Sequence, residues 1–262
     1  MKMQHVRYKL TVEYFGINFC GWQSQINGVS VEDTIAKAVF MFSGQKISIV
    51  PAGRTDAGVH AYGQVIHLDL PVRYEPKKIM GAINHFCKGH NVTVVNCEIV
   101  DHLFHARFSA RSRSYIYKIL NQKHKTSIHS NTHWLINQNL NIDNMKTAAQ
   151  YLLGKHDFTT FRAARCQAKS PIRTISDIQF YSLQTTSNNE VLDKLLSKEI
   201  IIYIKAQSFL YHMVRNIVGS LVYVGLGKWS SDYIQLILNN RSRALGGPTA
   251  PAKGLYFLNV EY

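Results

Sequence analysis

Cysteine is scarce in this chain and shows no pairing pattern. Cys20, Cys87, Cys97 and Cys166 form no C-x-x-C pair and no Cys/His ligand spacing. That argues against a disulfide framework or a structural zinc site and for free thiols in a reducing compartment. Long apolar runs are absent as well: stretches such as Ile200 to Ile204 are strand-sized and too short to cross a bilayer. The opening MKMQHVRYKL lacks the apolar segment of a secretory signal, so a cytoplasmic protein is expected, with no membrane partner. There is no Walker A loop, no G-x-G-x-x-G and no H-E-x-x-H, and the 12 histidines show no ligand spacing. Neither a cofactor nor a metal is expected.

Acidic residues are the other shortage. Lysine and arginine total 30 against 16 acids, a net charge of +14. Such an excess points to a polyanionic partner, nucleic acid before membrane. Fourteen tyrosines and 12 phenylalanines supply flat rings on which unpaired bases can stack, although most aromatics in a protein of this kind belong to its core. With 262 residues, 46% of them hydrophobic, the chain has enough material for one large domain or two modest ones.

Periodicity divides the chain into two similar halves. Tyr8 to Tyr14 alternates as a strand and leads into a loop rich in glycine and aromatics, FGINFCGWQSQ. Ser30, with Asp33 three residues on, predicts a capped helix whose stripe is Ile35, Ala38, Val39 and Phe42, ending at Gly44. Strand-period residues follow from Lys46 to Ala52 and again to Leu70, then a helix over Pro76 to Phe86 opened by its proline, and a strand over Val92 to Val100. Beyond the basic stretch HARFSARSRS comes a strand over Tyr115 to Leu120 and a polar loop over Lys123 to His133. Asn141 and Asn144 cap a second helix with Met145, Ala148, Ala149 and Leu152 as its stripe, and Gly154 stops it. Strands are expected over Arg173 to Leu183 and Glu199 to Ala206 with a polar turn between them, then a long apolar helix over Phe209 to Val224, a short helix over Ser231 to Leu238, and a last strand over Leu255 to Tyr262. This order fits an α+β architecture, divided into an N-terminal half over 1–104 and a C-terminal half over 105–262.

The densest chemistry lies in GRTDAGVHA, between two strands. Gly53, Gly58 and Gly63 recur every five residues around Arg54, Thr55, Asp56 and His60. Glycine allows the tight backbone such a loop needs, and a loop mounted on a sheet is a common place for function. A lone D-x-G is more often an ordinary turn aspartate. Arg215 is the second oddity: it sits in a helix apolar nearly all round, where a guanidinium needs an acidic partner. A structural ion pair would satisfy it; so would a catalytic carboxylate, which the arginine would hold ionised and oriented. Tyr115, after Arg107, Arg111 and Arg113, is either a packed aromatic or a ring facing a base. Arg162, Arg165, Lys169 and Arg173 in FRAARCQAKSPIR read as phosphate contacts or as a solvated face.

Five ordered motifs carry a family resemblance: GRTDAGVHA.GQV at 53–65, HARFSA at 105–110 followed by Tyr115, FRA..CQ at 161–167, HMVRN at 212–216 and TAPA.GL at 249–255. In sequence and order they resemble the tRNA pseudouridine synthase A family. The resemblance implies an isomerase that converts uridine to pseudouridine at positions 38, 39 and 40 of the tRNA anticodon stem-loop, without a cofactor and as a homodimer. It implies Asp56 as nucleophile, Arg215 as its ion partner, Tyr115 stacked on the target base, and Arg54 extruding the nucleotide. It also implies two halves of RNA-recognition, ferredoxin-like type, whose antiparallel sheets merge into one central sheet flanked by helices, with the active-site cleft between them. Two other readings stand beside it: a basic RNA-binding module of the same fold without catalysis, and a metal-free hydrolase pairing Asp56 with His60. The second leaves the +14 charge without a purpose.

Overall fold

A computed structural model describes residues 5–26, 28–164, 166–182 and 198–262. In chain order the elements are β1 (Val6–Tyr14), α1 (Val31–Ser43), β2 (Val50–Pro51), β3 (His60–Leu70), α2 (Pro76–Phe86), β4 (Val92–Ile99), β5 (Ser112–Asn121), β6 (Trp134–Ile136), α3 (Ile142–Gln150), β7 (Gly154–Asp157), β8 (Ile172–Ser182), β9 (Glu199–Ala206), α4 (Met213–Gly225), α5 (Tyr233–Asn240) and β10 (Leu255–Glu261). Strands and helices are mixed as the α+β reading expects. The contacts fall into two compact units: one runs to Arg113 and takes back Tyr256–Tyr262, and the other is Ser114–Leu255. Residues 105–113 thus pack with the first unit.

The first unit follows the order strand-helix-strand-strand-helix-strand. Its sheet runs β4-β1-β3, with β2 on β3 and β1 antiparallel to both neighbours, which is a ferredoxin-like arrangement. The returning strand β10 lies parallel to β3, with Tyr256 opposite His60 and Phe257 opposite Ala61. Local chemistry sets the helix ends. The Ser30 hydroxyl accepts from the Asp33 amide at 2.9 Å, and Gly44 takes a left-handed φ of 71° beyond the last turn. Tyr8, Leu10, Val12, Ile35, Ile66, Leu68, Leu70, Ile79 and Ile83 are at most 1% exposed and form the core beneath α1 and α2. Asn84 ties α2 to β4 with two hydrogen bonds to the Val94 backbone, at 2.9 and 2.7 Å. Val65 turns to the opposite face, where it packs with Ala52, Ala106, Phe104, Val260 and Tyr262. The alternation expected along β3 therefore leads to burial on both of its faces.

The second unit has the sheet order β5-β9-β8-β7, with β6 parallel to β5 and β8 antiparallel to β9. The Asn141 side chain accepts from the Asn144 amide at 2.9 Å, as its position predicts, and Met145, Ala148, Ala149 and Leu152 are fully buried. Three expectations need correction. The long helix starts at Met213 rather than Phe209, because His212 adopts a left-handed φ of 62° that an α-helix excludes. The strand expected from Lys46 shrinks to Val50–Pro51, and Pro51 has no amide to donate to a ladder. Finally, two short strands go beyond the expectation: β6 directly after the loop that ends at His133, and β7, which begins at Gly154, expected only to stop α3. The polar turn expected between β8 and β9 lies outside the described residues. No described helix is long and apolar enough to cross a membrane.

Candidate active site

In the first unit, Asp56 stands on a loop framed by backbone hydrogen bonds. The segment from Phe15 to Trp22 lies against it: the Trp22 amide donates to Thr55 O at 3.0 Å, the Gly58 amide to Phe19 O at 3.4 Å, and Gly21 bridges to Asp56. The same segment reaches the start of α1, since the Glu32 amide donates to Trp22 O at 3.0 Å and the Val31 amide to Gly21 O at 3.2 Å. Contact is too close for a side chain at Gly16, where a Cβ would fall 1.9 Å from Val59 O. Gly58, with φ of 76°, turns the loop back, and the Val59 amide donates to Asp56 O at 3.2 Å.

Side chains support this frame from below. The Tyr14 hydroxyl and Thr55 Oγ1 lie 2.7 Å apart, and burial pushes the Tyr14 phenol up to about 12. Gln64 Nε2 donates to Gly53 O at 2.7 Å. His60 accepts the Gly16 amide on Nδ1 at 3.0 Å and stacks on Tyr256 with ring centres 4.6 Å apart. The histidine thus serves the loop's shape. Asp56 is half-exposed and Arg54 is exposed on the same loop.

In the second unit, Arg215 lies in the first turn of α4. Met213, Val214, Asn216, Ile217, Val218, Gly219, Ser220, Leu221 and Val222 are all buried, while Arg215 is half-exposed. Its Nε donates to Ala250 O at 2.7 Å and its carbonyl accepts from the Ala250 amide at 3.1 Å. The crossing of 246–251 over α4 is tight: a Cβ on Gly219 would fall 1.7 Å from Pro248 O. Beside it lies a buried polar cluster. Asn216 Nδ2 donates to Phe161 O at 2.9 Å, while its Oδ1 accepts from Thr249 Oγ1 at 2.7 Å and from Arg243 Nη2 at 3.2 Å. Burial lowers the Arg243 pKa, yet the guanidinium also donates to Gly247 O at 2.9 Å. Tyr115 is 9% exposed, and its ring meets Phe209 edge-on at 5.0 Å. Tyr117 donates to Pro251 O at 2.8 Å; burial raises its pKa well above the ordinary tyrosine range, and Arg215 opposes that shift.

The remaining predicted contacts are spread widely. Arg107 is exposed in the first unit. In the second, Lys169 is exposed, Arg162 donates to Cys166 O at 3.4 Å, and Arg173 gives Nη1 to Ser170 O and Ile172 O at 2.9 and 2.6 Å. Burial lowers the Arg173 pKa. Arg165 lies outside the described residues. Among the described residues no group of three histidines, cysteines or acids is placed to hold a metal. Burial pushes the Cys87 and Cys97 thiols up to about 11 and 12, so neither is a ready nucleophile. Sequence reasoning passed over Tyr14, Gly16, Asn216 and Arg243. Asn216 stands inside HMVRN beside Arg215, but its partners Phe161, Thr249 and Arg243 are distant in sequence.

Two curated relatives named tRNA pseudouridine synthase A, from Orientia tsutsugamushi strains Ikeda and Boryong, are each 42% identical to this chain, over 294 and 295 residues. Each alignment covers 98% of this chain and 100% of the relative. A family model described as tRNA pseudouridine synthase matches residues 148–262. A solved structure, an unknown protein from Galdieria sulphuraria, aligns at 8% identity with a TM-score of 0.22 over 84% of this chain and 92% of its own, a likeness too slight to bear on fold or function.

Proposed function

The chain belongs to the tRNA pseudouridine synthase A family, and from that premise we propose how its own residues carry out the reaction. The activity is isomerisation of uridine to pseudouridine in tRNA. The proposed sites are positions 38, 39 and 40 of the anticodon stem-loop, with Asp56 as nucleophile. Asp56 bonds to the uridine, the C1′–N1 bond breaks, the freed base rotates and C5 bonds to C1′; C5 gives up its proton to solvent, N1 takes one in return, and the bond to Asp56 breaks to release the enzyme. No atom is lost and no redox change occurs, which agrees with a site built from a carboxylate, arginine and aromatic rings.

The remaining roles follow from chemistry. A stem uridine is out of reach inside its helix, so it must be flipped out at a cost of a few kcal/mol. Arg54, exposed two residues before Asp56, is placed in the sequence to occupy the space the base vacates. Arg215 pairs with the Asp56 carboxylate, holding it ionised and fixing its plane. Tyr115 stacks on the displaced base. Arg107, Arg162, Arg165, Lys169 and Arg173 contact phosphates, offsetting the flipping cost by sequence-independent attraction. The protein works as a homodimer in the cytoplasm. The observation that supports this reading best is the backbone clamp on the Asp56 loop: a nucleophile held by main chain keeps its position when the substrate arrives.

The test is release of tritium from tRNA labelled at uridine C5. Wild type is expected to release it. Asp56→Asn, which keeps the shape of the side chain and removes its charge, is expected to lower release at least about 10³-fold while tRNA affinity stays nearly unchanged, a loss typical of removing an essential nucleophile. Equal loss of affinity, or an active Asp56→Asn, would remove Asp56 from the chemistry.

A further inference from the structure

The turn at 102–109 of the first unit presents an aromatic ring on a rigid mount. Phe108 is 76% exposed. Exposed phenylalanines are common on slack loops, but this one is tied down along its length. Arg7 Nη1 donates to His102 O and to Phe104 O, both at 2.7 Å, while the other side of the guanidinium grips Asp69. The Ala106 amide donates to His67 Nδ1 at 3.1 Å, and Ala106 O accepts from the Tyr262 hydroxyl at 2.8 Å. Arg107 O accepts from Arg113 Nη2. His105 closes the turn: its Nδ1 accepts from the amides of Arg107 and Phe108 at 3.1 and 3.2 Å, and it exchanges two further hydrogen bonds with Ser109.

The surroundings of the ring are equally ordered. The His105 ring packs on Phe108 with centres 4.4 Å apart and planes 34° from parallel, and the Arg107 guanidinium lies 5.5 Å from the Phe108 ring centre. Arg111 is exposed three residues on. A large apolar ring left in water by a well-fixed backbone costs free energy that a partner's flat surface would recover. With cations on either side of it in the sequence, the partner that fits is one with π-faces and phosphates together. A second copy of this chain would bring Arg107 and Arg111 against themselves.

We propose that Phe108 is a stacking platform for an unpaired nucleobase of the RNA substrate, with Arg107 and Arg111 contacting the adjoining phosphates. The proposal rests on the reading of the chain as a tRNA-modifying enzyme and adds a residue outside the Asp56 and Arg215 sites. Stacking is tolerant of base identity, and a pre-ordered ring spares the entropy of fixing a loose loop on binding.

The experiment is titration of a labelled tRNA transcript with full-length wild type, Phe108→Ala, Phe108→Trp and Arg107→Ala over a range of salt. Phe108→Ala is expected to weaken binding on the order of tenfold, and Phe108→Trp to restore it, since stacking is worth about that much per base. The salt slope should stay the same in Phe108→Ala and fall by about one in Arg107→Ala, because only the arginine releases a counterion. Unchanged affinity in Phe108→Ala would overturn the proposal. So would a drop in the sedimentation mass of the RNA-free variant, which would make the ring a contact between copies. Tritium release by wild type, measured on the same tRNA, separates the two readings: weakened binding without any release by wild type upholds the platform and removes the isomerase.

Discussion

The Asp56 loop and the Arg215 turn place comparable groups by opposite means. Around Asp56 the frame is main-chain, Trp22 to Thr55, Gly58 to Phe19 and Val59 to Asp56, with Gly16 making the close approach feasible and the Tyr14 and Gln64 side chains bracing it. Around Arg215 the helix supplies most of its own backbone bonds; one carbonyl takes the Ala250 amide, and otherwise the crossing chain is held by side chains, with Asn216 joining Phe161, Thr249 and Arg243. A loop has unsatisfied backbone groups to offer and uses them as clamps. A helix has spent its backbone groups internally and must recruit amides, hydroxyls and guanidinium groups instead. The two places should accordingly break under different substitutions.

They share one weakness, and it carries the largest expected effect. A Cβ at Gly16 would fall 1.9 Å from Val59 O, and one at Gly219 would fall 1.7 Å from Pro248 O, both backbone atoms that yield only if the chain moves. Gly16→Ala and Gly219→Ala are each expected to cost about 3 kcal/mol, the upper end of overpacking penalties. Gly44→Ala is the control: Gly44 has φ of 71° but open space around it, so its loss should stay near 1 kcal/mol. Urea unfolding of the three variants measures this, and a Gly16 or Gly219 loss no larger than that of Gly44 would contradict the close approach.

Acid separates the two units by the groups each has buried. His67 in the first unit is 4% exposed, and desolvation pulls its pKa from 6.5 to about 4. Between those values the unfolded chain binds a proton that the folded chain refuses. Stability from His67 is therefore complete above about pH 6.5 and is lost progressively as pH falls from there to about 4, a change of about 3 kcal/mol in all. In the second unit the His133 hydrogen bond lowers the pKa of Glu199, so that contribution is present above the ordinary value of 4.5 and declines only below it. The same holds for Asp69 beside Arg7 below 3.8. At pH 5 the His67 contribution has begun to act, joined in the second unit by that of half-buried His129, whose pKa desolvation also lowers. Amide exchange at pH 5 and pH 7, corrected for intrinsic rates, should show loss of protection first around Ala106, whose amide donates to His67. Equal loss in both units at pH 5 would contradict this assignment.

What the sequence made legible follows the same division. The caps at Ser30, Asn141 and Gly44, the proline start of α2 and the stripes of α1 and α3 were readable because each depends on neighbours within four residues. The Asp56 loop was readable from its glycines and motif. Other features depend on partners distant in sequence. Asn216 meets Thr249 across 33 residues and Phe161 across 55, so no local pattern marks it. Strand β10 returns to pair with His60 and Ala61 at the other end of the chain, a parallel contact without a turn to announce it. The start of α4 was misjudged because an apolar stripe says nothing of the left-handed φ at His212.

The smallest effect is a difference between two side-chain deletions, and it tests the comparison most directly. Asn216→Ala removes the donor to Phe161 O and the acceptor shared by Thr249 and Arg243, leaving buried groups without their partner. A loss of about 2–3 kcal/mol is expected. Tyr14→Phe removes a hydroxyl that is equally buried and bonded to Thr55 at 2.7 Å, directly before Asp56. Thr55 O nevertheless keeps the Trp22 amide, and the phenyl ring keeps the packing volume, so the expected loss is only about 1 kcal/mol. Tritium release should fall no more than a few-fold in Tyr14→Phe, since the main-chain clamp on Asp56 remains. If the two deletions cost the same, or if Tyr14→Phe silences the enzyme while its stability holds, then a side chain and not the backbone fixes the aspartate, and the contrast between the two places is lost.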